Sequence, residues 1–449
     1  MKHEIGRRCI KRMRIRIADA PGALGAFITR LGELGVRFGE ITTASIGRSS
    51  RVRDVDAIAP DETTFDRICD EVRAMADVEL LGVTDVVRER HVGGKIATRS
   101  RVELRSLDDL GIVYTPGVAS MCLQIADEPE LASRYTAIAN TVAIVTNGTA
   151  ILGLGDIGPV AGMPVMEGKA ALFDLLAGVS GVPILIDSKD PQLIINAVTA
   201  IAPTFGAIKL EDIRAPECFE IEERLDHALD IPVLHDDQHG TAVVVLAALI
   251  NIARTRHLNL RRTAVGIVGL GAAGSGIQRL LTAFGVQTIH GVDINPDMIA
   301  RFEGFGGHST DLPGVMAAAD VVIATTGVPG LIAPELVRPQ QVILALSNPD
   351  PEIDPETALA AGAAFAADGK AVNNALAFPG LFRGALDARA TRINDAMKIA
   401  AANKIANRAP DGELTPPILD RDLHGAVAAA VREAALTSGD VRYSRRLEV

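Results

Sequence analysis

The stretch TAVGIVGLGAAGSGIQRLLTAFGV, residues 263–286, decides the fold class. A run of β-branched residues leads into the pattern G-x-G-x-x-G, and an amphipathic helical pattern follows. Glycines at these positions let the backbone approach a pyrophosphate at the start of the helix. The next strand-like segment ends in an acid, which is expected to bind the adenosine ribose. The stretch therefore predicts an α/β fold with a Rossmann-type dinucleotide-binding domain. Its predicted site residues are Gly269, Gly271, Ala272, Ala273, Gly274 and Asp293.

A second match to the glycine pattern, GLGDIG at residues 153–158, is assigned no nucleotide. The segment after it contains Gly162 and Pro164, which predict that no helix forms there. Around the first match, no Arg or Lys directly follows Asp293, which favours NAD and leaves NADP as the alternative. The later segment DVVIATTG, residues 320–327, is typical of a further Rossmann strand, and it brings Thr326 to the cofactor.

Composition limits the remaining choices. A chain of 449 residues predicts two or three domains, and its net charge of −11 argues against a nucleic acid partner. The four cysteines are far apart in the sequence, which suits a reducing cytoplasm. The longest apolar run, residues 241–253, is too short to cross a membrane, so no membrane partner is expected.

The first part of the chain carries its own pattern. Residues 11–88 predict the order βαββαβ of a ferredoxin-like α+β sandwich. The turn D-x-P-G-x-L, Asp19 to Leu24, precedes its first helix, and with this turn the segment resembles an ACT domain. The resemblance implies a small effector bound where two copies pair, while pairing without any ligand is the alternative. The expected domains are residues 1–88, 89–245 for substrate and metal, and 246–449 for the dinucleotide and C-terminal helices.

Adjacent acids point to a metal. Asp236 and Asp237 interrupt an apolar context, and neighbouring carboxylates resist burial unless a cation or donors lie close. Another pair, Glu211 and Asp212, follows a strand-like segment and can complete the site. Oxygen ligands without cysteine suit Mg²⁺ or Mn²⁺. The histidines at 235 and 239 are more typical of backbone hydrogen bonding, and the acids at 222 and 223 are interpreted as solvated on a surface helix.

Six segments together resemble malic enzymes of the compact bacterial type, from about His91 into the last quarter of the chain. They are VYTPGVA (113–119), LGLGDIGPVAGMPVMEGKAALF (152–173), KLEDIRAPECFEIEERL (209–225), IPVLHDDQHGTA (231–242), ALSNPDPEI (345–353) and VNNALAFPGLFRGALDARA (372–390). The resemblance implies NAD-dependent oxidative decarboxylation of L-malate to pyruvate and CO₂.

The resemblance also implies a role for each matching residue. Tyr114 would be the general acid and Lys169 the general base, and burial of this lysine in an apolar segment would lower its pKa. The remaining positions would bind ligands. Glu211, Asp212 and Asp237 would hold the cation. Asp236 would be a third catalytic residue, next to the cation ligands without binding the cation directly. Asn348 and Asn374 would contact the substrate, and Asn348 would also contact the cofactor.

Two departures from the family pattern bear on cofactor preference and substrate choice, and two other classes of protein stay open as alternatives. Asn147 stands where these enzymes commonly have Asp, and VDINPDMIARFEG, residues 292–304, replaces an expected basic, glycine-containing stretch. One alternative is an amino-acid dehydrogenase, which GGK at residues 93–95 would suit but which needs no metal. The other is a non-catalytic protein that senses an effector. The expected assembly is a homodimer or larger.

Overall fold

The protein was analysed as a computed structural model that describes residues 9–370 and 372–442. The chain divides into two compact units, one up to Ala97 and one from Thr98. The expected domain boundaries at 88/89 and 245/246 stay predictions.

The first unit is a four-stranded antiparallel sheet with helices. Its elements are β1 (Cys9–Ala18), α1 (Ala23–Glu33), β2 (Arg37–Ile46), β3 (Ser50–Ala59), α2 (Glu62–Ala74), β4 (Val78–Asp85) and α3 (Val86–His91). The sheet order is β2-β3-β1-β4, and each neighbouring pair is antiparallel. Met13, Ile15 and Ile17 alternate with arginines along β1 and are buried with Phe27 and Phe65 of the helices. The period-two pattern read from the sequence therefore points its apolar side to the core.

The second unit begins with helices and a parallel sheet. These elements are α4 (Leu107–Val113), α5 (Gly117–Asp127), α6 (Ala132–Tyr135), β5 (Thr141–Thr146), α7 (Pro159–Ala177), β6 (Ser180–Leu185), α8 (Pro191–Ile201), β7 (Ala207–Leu210), α9 (Glu217–Ala228), β8 (Val233–His235) and α10 (Asp236–Arg256). The strands are ordered β6-β5-β7-β8 and all pair in parallel. Residues in β5, β7 and β8 are buried without alternation, as expected for a parallel sheet covered on both faces.

The prediction that Gly162 and Pro164 prevent a helix is wrong, because α7 contains both. Pro159 takes the first helical position, where a missing N–H costs little, and the helix continues through Pro164 in its second turn. Gly162 lies against Ile151, where a Cβ atom would come within 2.6 Å of the Ile151 side chain.

The dinucleotide-binding part follows. Its elements are β9 (Ala264–Val268), α11 (Ala272–Phe284), β10 (Thr288–Val292), α12 (Pro296–Gly304), β11 (His308–Ser309), α13 (Leu312–Ala318), β12 (Val321–Ala324), β13 (Val342–Ala345), α14 (Pro355–Ala360) and β14 (Phe365–Asp368). The sheet order β11-β10-β9-β12-β13-β14 is the 3-2-1-4-5-6 order of a Rossmann fold. The predicted Rossmann-type domain is therefore confirmed.

Three helices end the described chain, and short 3-10 helices connect other elements. The helices are α15 (Phe378–Ala388), α16 (Asp395–Arg408) and α17 (Arg421–Ser438), and the 3-10 helices are Pro129–Leu131, Ile138–Asn140, Ala202–Thr204, Pro334–Leu336 and Asn374–Leu376. Within residues 9–370 and 372–442, no helix has the length and apolar character needed to span a membrane.

Candidate active site and metal centre

Three carboxylates meet where two neighbouring parallel strands end. Glu211 and Asp212 directly follow β7, and Asp237 lies in the first turn of α10, which directly follows β8. Because β7 and β8 pair in parallel, their carboxyl ends lie at the same edge of the sheet. One oxygen from each of the three side chains lies within 4.8 Å of the others. The structure thus brings together all three metal ligands expected from the sequence.

Asp212 lies in an environment that suits a cation. Its φ is 53°, in the left-handed region, and its backbone N–H donates to Asp237 Oδ2 over 3.0 Å. Burial, and after it the charge of Asp237, raises the pKa of Asp212 to about 7. Its Oδ2 atom is buried and has no hydrogen-bond partner among the described residues. Close, buried carboxylates with an unbonded oxygen fit a divalent cation that prefers oxygen ligands.

Lys169 lies beside this cluster, in the middle of α7. Its Nζ atom is 2.9 Å from Asp236 Oδ2, 3.0 Å from Glu211 Oε1 and 3.1 Å from Asn374 Oδ1. The side chain of Asp236 is fully buried. Three predicted site residues therefore surround the amine of a fourth, Lys169.

A second lysine, Lys209, was not identified from the sequence. It lies on β7, is fully buried, and forms ion pairs with Glu211 and with Asp236, whose Oδ2 atom is 3.0 Å away. Burial lowers the pKa of Lys209 to about 8, although Asp236 opposes this. Burial acts to raise the pKa of Asp236, but Lys169 and Lys209 outweigh it and the pKa is lowered. The available signal was a lysine between apolar residues of a buried strand.

Two predicted residues are not brought into contact with this cluster. The Tyr114 side chain is 66% exposed at the end of α4 and forms no hydrogen bond with any described residue. Asn348 is exposed, and its Nδ2 atom lies 3.5 Å from the Leu346 carbonyl oxygen. Both residues belong to segments that turn at a cis X-Pro peptide bond, after Thr115 and after Asn348 itself.

Asn147 has a structural reason for not being an acid. Its Nδ2 group donates to the Ser188 carbonyl over 3.1 Å, which a carboxylate could not do. Its Oδ1 atom accepts from the Thr149 hydroxyl over 2.7 Å, and Thr149 in turn accepts from the Arg214 N–H over 3.1 Å. The amide therefore joins the loops after β5, β6 and β7.

The glycine-rich loop has the geometry expected for a pyrophosphate. Gly269 has a φ of 93°, and a Cβ atom at Gly274 would lie 1.9 Å from the Gly269 carbonyl oxygen. Gly271 faces open space, and Ala272 and Ala273 begin α11. Asp293 Oδ2 accepts from the Leu270 N–H over 2.6 Å, so the predicted ribose-binding acid also holds the loop. This arrangement leaves the N–H groups at the start of α11 available to an anion.

Thr326 is held by an acid that was not assigned from the sequence. Its N–H and hydroxyl both donate to Glu352 Oε1, over 2.6 and 2.9 Å. The Ser347 hydroxyl donates to the same oxygen over 2.5 Å, and Glu352 is fully buried. Glu352 lies within the segment ALSNPDPEI and ties the loop after β12 to the loop after β13.

The turn at the start of α10, residues 235–239, is called the metal turn here, and α11 is called the dinucleotide helix. The two are in direct contact. A Cβ atom at Gly276 of α11 would lie 2.2 Å from the carbonyl oxygen of Gln238, the residue after Asp237. The absent side chain at Gly276 therefore lets α11 pack on the first turn of α10. The carboxylate cluster and the glycine-rich loop are therefore carried by helices that touch each other.

The interpretation of Glu222 as solvated is wrong. Glu222 is 8% exposed, because α9 packs against β8 and the Glu222 carboxylate contacts Gln238 and His239 of α10, whereas Glu223 is exposed as expected. His239 Nε2 lies 3.1 Å from the Glu222 carboxylate, so this histidine contacts an acid and not only backbone. His235 is fully buried, with Nε2 3.5 Å from Asp237 Oδ2.

A Rossmann sheet joined to a carboxylate cluster with a lysine defines an oxidoreductase that uses a dinucleotide and a divalent cation.

Comparison with known proteins gives the family. The family model of the malic enzyme N-terminal domain matches residues 94–226, and the model of the malic enzyme NAD binding domain matches residues 306–436. A third model, the NAD binding domain of D-isomer specific 2-hydroxyacid dehydrogenases, matches residues 238–329. NAD-dependent malic enzyme 1 of Bacillus subtilis is 52% identical over 97% of this chain and 99% of its own length. The chain belongs to the malic enzyme family.

Two further proteins agree with this assignment. The NAD-dependent malic enzyme of Geobacillus stearothermophilus is 43% identical over 92% of this chain and 91% of its own length. The crystal structure of malic enzyme from Pyrococcus horikoshii has a TM-score of 0.75 and 40% identity, and the match covers 80% of this chain and 93% of that one. The predicted malic enzyme family is confirmed, and the two alternative classes gain no support.

Proposed function

We propose that this chain catalyses the oxidative decarboxylation of L-malate to pyruvate and CO₂ with reduction of NAD. The observation that carries the proposal is the contact between the metal turn and the dinucleotide helix. Gly276 packs on Gln238, directly after Asp237, so a cation on the carboxylates and a nucleotide at α11 would be held by two helices in contact. The relatives named as NAD-dependent malic enzymes support the same reaction.

Glu211, Asp212 and Asp237 supply the oxygen ligands for Mg²⁺ or Mn²⁺. Their grouping within 4.8 Å and the unbonded Asp212 Oδ2 atom support this assignment. Bound NAD supplies the hydride acceptor, and a bound divalent cation supplies positive charge that stabilises negative charge on the substrate oxygen.

Lys169 acts as the general base. Its Nζ atom takes the proton of the malate C2 hydroxyl while the C2 hydride leaves. Asp236 and Asn374, both within 3.1 Å of Nζ, hold the amine in place, and the buried charge of Asp236 stabilises the ammonium that forms. Asn374 also lies where it can orient the substrate.

Tyr114 acts as the general acid that protonates C3 after CO₂ has left. The proton that Lys169 removes from oxygen is matched by the one that Tyr114 delivers to carbon, so malate and NAD⁺ yield pyruvate, CO₂ and NADH without net proton change. The exposed position of Tyr114 at the end of α4 requires this segment to approach the substrate during turnover.

Asp293 and the glycine loop bind the adenosine end of NAD. A carboxylate there accepts from ribose hydroxyls and repels the additional phosphate of NADP. Thr326 and Asn348 follow β12 and β13 and face the cofactor from the loops that Glu352 joins. These contacts favour NAD.

The first unit binds a small effector in the manner of an ACT domain. Its βαββαβ order, its sheet order β2-β3-β1-β4 and the turn from Asp19 to Leu24 support this role. The alignment with the Bacillus subtilis relative covers 97% of the chain, so it extends into this unit. An increase in unfolding temperature with one of the standard amino acids would support the role, and no response to any of them would contradict it.

The protein forms a homodimer or larger assembly in a reducing cytoplasm, where its four cysteines stay free. Apolar side chains on α4 and α5 are strongly exposed, with Leu107 at 84%, Ile112 at 73% and Leu123 at 69%. Such a surface is typical of an interface between chains. Light scattering should give at least twice the mass of one chain, and Ile112→Asp should lower it.

One assay tests the proposed reaction. Purified protein is incubated with L-malate and either NAD or NADP, with and without Mn²⁺, and pyruvate is measured. We expect pyruvate with NAD and Mn²⁺, a lower rate with NADP, and none after complete removal of divalent cations. Turnover that survives cation removal would contradict the proposal.

A further inference from the structure

Glu222 is a buried carboxylate that accepts three hydrogen bonds from one turn. The Glu222 carboxylate accepts from the His235 N–H over 2.6 Å, from Gln238 Nε2 over 2.9 Å and from His239 Nε2 over 3.1 Å. Glu222 belongs to α9, whereas the donors are the residue before α10 and two residues of its first turn. One acid from a neighbouring helix therefore binds the three donor residues that flank Asp236 and Asp237 in the sequence.

This turn forms the N-terminus of α10, which has no side-chain cap of its own. The first N–H groups of a helix have no partner within it, and His235, at the N-cap position, provides no side-chain cap. Asp236 is engaged by Lys169, and Asp237 accepts from the Asp212 N–H. A negative charge supplied from α9 is favourable at this end of the helix dipole.

The same turn is held from the other side by α16. The Lys398 Nζ atom lies 3.3 Å from His239 Nδ1 and 2.7 Å from Asp395 Oδ1. His239 is thus fixed between Glu222 on α9 and Lys398 on α16, and Lys398 is in turn paired with Asp395. The metal turn has little freedom to rotate while Glu222 is present.

We infer that Glu222 is a positioning residue that fixes the metal turn and thereby sets the affinity of the site for a divalent cation. The inference rests on the proposed metal site. Glu222→Gln keeps the shape but replaces one acceptor oxygen by an NH₂ group, which would face donors on His235, or on Gln238 and His239. The turn must then shift and carry Asp237 with it. Loss of a group that orients metal ligands typically weakens metal binding about 10–100-fold.

The test measures Mn²⁺ affinity on the full chain from the electron paramagnetic resonance signal of free Mn²⁺. Glu222→Gln is compared with the wild type and with Glu223→Gln, a matched change at the exposed neighbouring position. We expect Glu222→Gln to raise the Mn²⁺ dissociation constant about tenfold or more, and Glu223→Gln to leave it unchanged. NADH affinity should be similar in all three proteins, and excess Mn²⁺ should restore turnover of Glu222→Gln, which general loss of structure would not allow.

The outcomes separate the two proposals. If the wild type binds no Mn²⁺, or if Asp237→Asn binds it equally well, the metal site itself is wrong. If those controls behave as expected and Glu222→Gln binds Mn²⁺ like the wild type, only the role of Glu222 is wrong. Should Glu222→Gln fail to fold by circular dichroism, Gln238→Met removes one donor and keeps the charge. It should weaken Mn²⁺ binding about fivefold, and unchanged affinity would overturn the inference.

Discussion

Lys209 Nζ lies 3.0 Å from Asp236 Oδ2, and neither side chain is exposed to solvent. Lys169 reaches the same oxygen from α7 over 2.9 Å. Two ammonium groups therefore compensate the buried acids Asp236 and Glu211. The charge balance of this cluster makes its stability depend on the cation.

Lys209→Met should destabilise the metal-free protein by about 3–5 kcal/mol, because the two buried carboxylates of Asp236 and Glu211 then share Lys169 as their counter-charge. Mn²⁺ should restore more stability to this variant than to the wild type, since the cation replaces the lost positive charge. Denaturant unfolding with and without Mn²⁺ measures both effects. Lys189→Met, at an exposed ion pair with Asp156, is the control and should change little. Equal Mn²⁺ stabilisation of the Lys209 variant and the wild type would contradict this account.

Lys169→Ala should lower kcat for malate oxidation about 10²–10⁴-fold, because the general base is lost. NADH affinity should remain, since no described contact joins Lys169 to the glycine loop or to Asp293. Steady-state kinetics and NADH fluorescence titration measure the two properties. Lys404→Ala on α16 serves as the control. Loss of NADH binding together with turnover would mean that the base has been assigned wrongly.

The dinucleotide half was predictable because its signals are local. The glycine spacing, the strand before it and the acid after it all lie within about thirty residues, a pattern with a known mechanism. The grouping of Glu211, Asp212 and Asp237 was predictable for a related reason, since these acids follow apolar strands and parallel strands end at one edge.

The residues that were misread depend on packing between distant segments. Glu222 looks like any acid on an amphipathic helix, and it is buried only through the packing of α9 on β8 and its contacts with Gln238 and His239 of α10. Lys209 appears as one charge in a short strand, and its partners are Glu211 nearby and Asp236 on another strand end. Pro164 was given too much weight, because α7 continues through it to Ala177 although an interior proline removes one backbone hydrogen bond.

The stability that Glu222 provides should be lost in acid. Burial acts to raise its pKa, but the charges and hydrogen bonds of His239 and His235 outweigh this and lower the pKa from 4.5 to about 2. A carboxyl with a depressed folded-state pKa stabilises fully above its unfolded pKa, and this contribution disappears as pH falls towards the folded value. The difference in unfolding free energy between wild type and Glu222→Gln should therefore fall by about 1.4 kcal/mol per pH unit below pH 4.5.

Urea unfolding at intervals from pH 6 to pH 3 measures this difference. Glu223→Gln should follow the wild type throughout, because that acid is exposed. A difference between wild type and Glu222→Gln that stays constant down to pH 3 would show that Glu222 is not ionised in the folded protein.

Gly276→Ala should weaken both ligands together, because Gly276 joins the two halves of the site. Its new Cβ atom would lie 2.2 Å from the Gln238 carbonyl oxygen, so α11 must move away from the first turn of α10. That movement displaces the start of α11, where the pyrophosphate binds, and the turn that carries Asp237. We expect higher dissociation constants for NADH and for Mn²⁺, measured by fluorescence and by electron paramagnetic resonance. Gly425→Ala on α17 is the control, since nothing lies within 4 Å of its added methyl group, and it should stabilise the protein by about 1 kcal/mol. If Gly276→Ala weakens only one of the two ligands, the contact between the helices does not couple the cation to the nucleotide.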